Sequence, residues 1–163
     1  MVTLERLRAG HAAALLAFEQ ENRAYFARSV TDRGDAYFAD FADRHHELLA
    51  EQDAGLHHFH LVVDDEGVLI GRVNLVDVDE GAAELGYRIG KRAAGRGVAT
   101  AAVGEVCRLA AAAYRLRSLR AVTTRDNPAS MAVLGRNGFT AVEDITLVGR
   151  PGVRYHRDLG ADH

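Results

Sequence analysis

"ELGYRIGKRAAGRGVATAAV", residues 84–103, decides how the rest of this chain is read. Leu85, Tyr87 and Ile89 alternate with Glu84, Gly86 and Arg88, the two-residue period of a strand. The period stops at Gly90, passes through three cationic residues and two more glycines, and from Val98 becomes an alanine- and valine-rich helix. Successive backbone N–H groups at a helix N-terminus form a cradle for an anion, aided by the helix dipole. Gly95 and Gly97 lack a Cβ and let the backbone approach a phosphate closely, and Arg92 and Arg96 add charge-assisted hydrogen bonds.

Two nucleotide-binding readings fail at named positions. Gly90 and Gly95 have the spacing of a P-loop, but Arg96-Gly97 stand where Lys and Ser or Thr are needed. Gly95-Arg96-Gly97 begin a dinucleotide fingerprint, but Thr100 occupies its third glycine slot. Residues 115–120, Arg-Leu-Arg-Ser-Leu-Arg, offer no acid to hold a ribose.

Downstream, Val103, Val106, Cys107, Ala110, Ala111 and Tyr114 form an apolar stripe on a helix predicted over 97–114. Cys107 lies on that stripe and reads as a small core residue rather than a catalytic thiol. "SLRAVTT", 118–124, reads as a strand, and "NPASMAVLGRNGF", 127–139, opens a short helix with an asparagine cap and proline at its first position. Residues 140–159 read as a hairpin turning at Gly149-Arg150-Pro151-Gly152. Upstream, residues 2–8 alternate as a first strand. Helical spacing covers 10–29 (Leu15, Leu16, Phe18, Tyr25, Phe26) and, after a break at "TDRGD", 35–52 (Tyr37, Phe38, Phe41, Leu48, Leu49). Between them and the corner, strands at 57–63, 67–77 and 82–89 form an antiparallel meander. The order predicts one α+β domain over residues 1–163, with a single sheet of mixed direction.

Composition narrows the function. The chain has 163 residues, 48% hydrophobic and 26% charged, with a formal net charge of −3. No global basic field exists to draw in nucleic acid or an anionic membrane. No apolar run approaches the roughly 18 residues of a membrane span, and the N-terminus lacks a signal-peptide layout, so a cytoplasmic protein is expected. One cysteine excludes an internal disulfide. All the basic residues but Lys91 are arginines, and with alanine, glycine and valine they point to a GC-rich bacterial genome. Of the histidines, His45 and His46 are adjacent on a helix and diverge by about 100°, whereas His58 and His60 share one face of a strand. With no third ligand in register, no metal site is expected.

Arg92-Ala93-Ala94-Gly95-Arg96-Gly97-Val98-Ala99 resembles the acyl-CoA pyrophosphate loop of the GNAT superfamily of N-acetyltransferases, (Gln/Arg)-x-x-Gly-x-(Gly/Ala). "NPASMAVLGRNGF" is similar to that superfamily's Asn-x-x-Ser … Gly-Phe segment, in which the asparagine and serine face the CoA arm. With the element order, the resemblance covers nearly the whole chain and is nearest to the RimJ/RimL branch, which acetylates ribosomal-protein N-termini. It implies a mixed, mostly antiparallel, splayed sheet of about seven strands with helices on both faces. The strands ending at Ile89 and starting near Leu119 would part like a V. Acetyl-CoA would be the co-substrate, its pantetheine arm adding as a strand to the backbone of Tyr87, Arg88 and Ile89. Its pyrophosphate would sit on residues 92–97, before Val98 and Ala99, with Asn127 and Ser130 toward the arm. Ala94 departs from the pattern, since many members carry arginine or glutamine there.

An amine must be neutral to attack a thioester. An N-terminal amine with pKa near ~7.8 is roughly a tenth neutral at pH 7, whereas lysine is below about one part in a thousand. An α-amine therefore needs only a weak base, for which Glu84, Glu143 and Asp144 are candidates. The superfamily's tyrosine acid is replaced by Leu134, and the RimJ/RimL resemblance points to Ser130 instead. Backbone N–H near Tyr87 or Arg88 would polarise the carbonyl, and Asn74 and Tyr87 would line the acceptor side. Direct transfer to a primary amine, most naturally a protein or peptide N-terminus, is expected. Small amines (polyamine, aminoglycoside, amino acid) and a CoA-binding module with little catalysis stay open. The hairpin segment "PGVRYHRD" lacks an aspartate in the place usual for the branch, which loosens the link to a ribosomal substrate. The superfamily often dimerises, so a homodimer is an open expectation.

Overall fold

A computed structural model describes residues 2–160. Its strands are β1 (Thr3–Arg6), β2 (His58–Val63), β3 (Leu69–Asp79), β4 (Ala82–Ile89), β5 (Ser118–Thr124), β6 (Thr140–Leu147) and β7 (Arg150–Asp158). They hydrogen-bond into one seven-stranded sheet in the order β1-β2-β3-β4-β5-β7-β6. Every neighbouring pair is antiparallel except β4–β5. Four helices precede β2: α1 (Ala12–Glu21), α2 (Arg23–Phe26), α3 (Asp35–Ala39) and α4 (Phe41–Asp53). Helices α5 (Val98–Ala112) and α6 (Pro128–Arg136) flank β5 in sequence.

Strand alternation throws side chains to opposite faces, and each face has its own core. On one, Val62, Val73, Leu75, Ala83 and Leu85 pack with Val103, Val106, Cys107 and Ala110 of α5. Leu119, Ala121, Val153 and Tyr155 extend that core to Leu134 of α6. On the other face, Phe59 and Leu61 pack with Leu15, Phe18, Phe26 and Phe41. Each such fully buried large side chain contributes roughly 1.5–3 kcal/mol of transfer free energy. Cys107 is 2% exposed, and burial pushes its thiol pKa up, as suits a packing residue.

Apart from ends that shift by one or two residues, three elements differ from the sequence expectation. The helix predicted over 10–29 breaks at Asn22, whose side-chain Nδ2 donates to Phe18 O at 2.9 Å while its Oδ1 accepts from Lys91 N at 2.9 Å. Asn side chains compete with the helical ladder in this way. The helix predicted over 35–52 is likewise divided, at Asp40. The hairpin turns at Val148-Gly149, both with positive φ (48° and 75°), so Arg150, Pro151 and Gly152 belong to β7. A two-residue hairpin connection with left-handed backbone matches the twist of its strands.

The pairing that positions the site is β4–β5. It covers Ala82–Ser118, Ala83–Leu119 and Glu84–Arg120. Beyond that rung β4 continues only along β3, to Ile89–Gly71, and β5 continues along β7, to Thr124–Gly152. The two parallel strands therefore splay, and Leu85–Ile89 present an open backbone edge.

Candidate active site

The open edge of β4 leads directly into the glycine corner after it. Gly95 and Gly97 both have φ of +76°, a left-handed backbone that favours glycine. A Cβ on either would meet nothing within 4 Å, so the conformation and not crowding demands glycine, and the space above the loop is open. Gly90 is different: a Cβ there would lie 2.9 Å from Phe18 Cε1 and 3.2 Å from Asn22 Nδ2. Together with the Lys91 N–H bond to Asn22, that close approach pins the corner to the α1–α2 junction. Arg92 pairs with Glu21, and Arg96 is exposed at the corner. Ala94 precedes the first glycine with extended backbone, and Val98 and Ala99 open α5.

Across the V, the Tyr87 hydroxyl donates to Ser130 Oγ at 3.1 Å, joining β4 to α6. The serine thus accepts from Tyr87 and keeps its own O–H for another acceptor. Burial pushes the Tyr87 phenol pKa above its ordinary value, against a smaller opposing effect from Ser130. Asn127 Oδ1 accepts from Ser130 N at 3.1 Å, so Asn127 caps the helix that carries the serine. Leu134 is 1% exposed and belongs to the core.

On the opposite face of β4, Glu84, Gly86 and Arg88 stand in a row. Glu84 Oε1 accepts from Arg120 Nε at 3.2 Å, at the last rung before the strands part. A Cβ on Gly86 would meet nothing within 4 Å, so a bare strip of backbone lies between Glu84 and Arg88. Asn74 is the cross-strand partner of Gly86, and its Oδ1 accepts from His60 N at 3.3 Å. Arg88 Nη1 donates to Glu19 Oε1 at 3.2 Å.

Glu143 does not join these groups. It sits on β6, an edge strand, paired with Arg154 at 2.7 Å, and β7 lies between it and β5, the strand that borders the cleft. Asp144, also on β6, pairs with Arg125, the residue that follows β5. The histidine pair on β2 is occupied elsewhere, since His58 stacks on Tyr114 at 3.7 Å and His60 Nε2 lies 2.5 Å from Tyr114 Oη. Among the described residues no three His, Cys, Asp or Glu side chains are grouped to hold a metal ion. The sequence reading missed Glu19 and Arg72. Their signal was a carboxylate beside Leu15 and Phe18 on a helix and an arginine inside the apolar run of β3, both charges placed where burial was expected.

An open strand edge thus lies beside a left-handed glycine corner and faces a hydroxyl pair across a split sheet. The chain belongs to the GNAT family: residues 1–140 match the acetyltransferase (GNAT) domain. It is an N-acetyltransferase, and enzymes of this family use acetyl-CoA. A relative, "Probable N-acetyltransferase YjcK" of Bacillus subtilis, is 30% identical over 132 residues, 76% of this chain and 72% of that protein. The ribosomal-protein-S5-alanine acetyltransferase of Vibrio fischeri has the same fold, with a TM-score of 0.90 and 20% identity over 96% of this chain and 92% of that one. Mycobacterium smegmatis RimJ, in complex with CoA-disulfide, gives 0.85 and 20% over 96% and 81%. A chimera of the Vibrio cholerae spermidine N-acetyltransferase SpeG gives 0.80 and 17% over 98% and 96%. Among the described residues no helix is long and apolar enough to cross a membrane.

Proposed function

We propose that the protein acetylates the α-amine of a peptide or protein N-terminus, by direct transfer within a ternary complex. The observation that carries this reading is the two-sided character of Leu85–Ile89. The strand offers an open backbone edge to the donor and a bare strip over Gly86 to the acceptor, so both substrates meet at one place.

The pantetheine arm adds along the edge of β4 as a strand would, and the pyrophosphate rests on residues 92–97. Backbone N–H at Tyr87 or Arg88 polarises the thioester carbonyl. The amine nitrogen bonds to the acyl carbon as the C–S bond breaks. Its surplus proton passes to Glu84, directly or through water, and on to solvent, while Ser130, which accepts a hydrogen bond from Tyr87, relays a proton to the departing sulfur and regains one from water. Glu84 is already shared with Arg120, and an α-amine, roughly a tenth neutral at pH 7, asks less of such a base than a lysine does. Asn74, beside Gly86, lines the acceptor strip.

A small-amine acceptor is the second reading, favoured by the likeness to a spermidine N-acetyltransferase. Thiol release from acetyl-CoA, with mass spectrometry of products from a panel of peptides, polyamines, aminoglycosides and amino acids, tests both. Acetylated peptide N-termini are expected. Acetylation confined to polyamines would overturn the first reading, and CoA binding without thiol release for any amine would overturn both.

A further inference from the structure

Acetyl transfer alone does not call for the charges gathered behind the acceptor strip. Glu19 is 1% exposed, and three guanidiniums converge on its single carboxylate: Arg72 at 2.8 Å, Arg88 at 3.2 Å and Arg33 at 3.4 Å. Burial alone would raise the Glu19 pKa, but Arg72, Arg33 and Arg88 hold it below the ordinary carboxylate value. The three side chains are graded in exposure, 5%, 20% and 33% for Arg72, Arg88 and Arg33, so the charge opens from the protein interior toward solvent. Asp32 and Asp35, nearby in sequence, are engaged by Arg23.

The cluster is short of acceptors. Arg72 Nε is buried without a hydrogen-bond partner. Burial, then the charges of Arg33 and Arg72, lower the Arg88 pKa against the pull of Glu19. Like charges sharing one buried counterion are costly until another anion joins them. The two outer arginines are also held in place, Arg88 over the Phe26 ring at 4.6 Å and Arg33 over the Tyr37 ring at 4.8 Å. Arg88 is two residues from Gly86 on the same face, about 6–7 Å along the strand.

We propose that Arg88 and Arg33, seated on Glu19 and Arg72, select acceptors that carry a carboxylate close to the reacting amine. This rests on the acceptor lying over Gly86. Two sources share that chemistry: an acidic side chain near a peptide N-terminus, and the α-carboxylate of a free amino acid. A polyamine presents only positive charge to this wall, and the one carboxylate in the cluster is already engaged by three guanidiniums.

The test is kcat/KM for matched acceptor pairs: peptides with Asp or Asn at the second position, and amino acids against their amides, with spermidine alongside. The acid members are expected to be favoured about tenfold or more, as for a charge-assisted hydrogen bond. In Arg88→Gln and Arg33→Gln that preference should shrink toward parity through KM, and in Arg33→Gln, which lies outside the donor site, CoA affinity by calorimetry should be unchanged. Because Arg33 is partly exposed, its variant keeps the test open if Arg88→Gln fails to fold. Equal rates for acids and amides, a preference surviving both substitutions, or spermidine as the best acceptor would each overturn the proposal. Peptides acetylated regardless of charge would sink it and leave the α-amine reading intact. Amino acids acetylated in preference to their amides, with peptides inert, would do the reverse.

Discussion

At Gly97 the backbone itself sets the requirement. Its φ of +76° costs an L-residue roughly 1–2 kcal/mol, yet the space above it is open. Gly97→Ala should therefore lower stability by about that amount and weaken CoA binding modestly. Gly97→Glu places a carboxylate in the anion cradle and should abolish CoA binding in calorimetry; unchanged affinity would mean that the corner does not hold the pyrophosphate. The hydroxyl pair is a separate test at the same scale. Tyr87→Phe removes a donor from Ser130 and should cost about 1 kcal/mol of stability. Ser130→Ala should reduce kcat by at least tenfold, toward the roughly 10²–10⁴-fold range of general acid catalysis, with the CoA dissociation constant little changed. A kcat equal to that of the unaltered enzyme would leave the serine as a packing residue.

Among the elements, the α1–α2 junction anchors the glycine corner. Asn22 is 4% exposed and spans from Phe18 O to Lys91 N, so the helix break and the glycine corner are one structure. Asn22→Ala leaves the half-buried Lys91 N–H without this partner and should cost roughly 1 kcal/mol, visible as a lower melting temperature, together with weaker CoA binding. Intact CoA affinity at a lowered melting temperature would separate the corner from the helix. The same junction shows what a sequence conceals. Strand β5 was legible to the residue at 118–124, because β-branched residues and alternation agree there. The glycine corner was legible because its demands are local. The break at Asn22 was not, since it depends on Lys91, far along the chain. Nor was the Glu19–Arg72–Arg88 cluster, whose members come from a helix and two strands. Glu143 looked close to the cleft from its place after Gly138-Phe139. Strand order decides otherwise, because β7 returns to lie beside β5 and leaves β6 at the edge.

The whole molecule keeps its edge strand through a buried histidine, and that sets its response to acid. His60 is 1% exposed, with Nδ1 at 3.1 Å from Val73 O and Nε2 at 2.5 Å from Tyr114 Oη. The carbonyl requires the proton on Nδ1, and with burial keeping the ring neutral, Nε2 accepts from the tyrosine. Arg6 of β1 donates to Tyr114 Oη and to His58 Nδ1, tying β1, β2 and the end of α5 together. Burial, with a further contribution from Arg6, pushes His60 down to about 4 from 6.5. His58, more exposed, is shifted to about 4 in the same direction by the same causes. Between those values the unfolded chain binds the extra protons, so stability is full above pH 6.5 and is lost as pH falls toward 4. For His60 alone the loss approaches about 3 kcal/mol, or roughly 6–12 °C in melting temperature for a chain of this size. Glu19, whose pKa is lowered, adds a loss only below the ordinary carboxylate value of 4.5. Melting curves from pH 7.5 to 4.5 should therefore fall before the carboxylates titrate. In His60→Gln, whose amide can donate to Val73 O and accept from Tyr114, the fall should flatten. A flat profile in the unaltered protein, or an identical slope in the variant, would show that the histidine is not the acid-sensitive group.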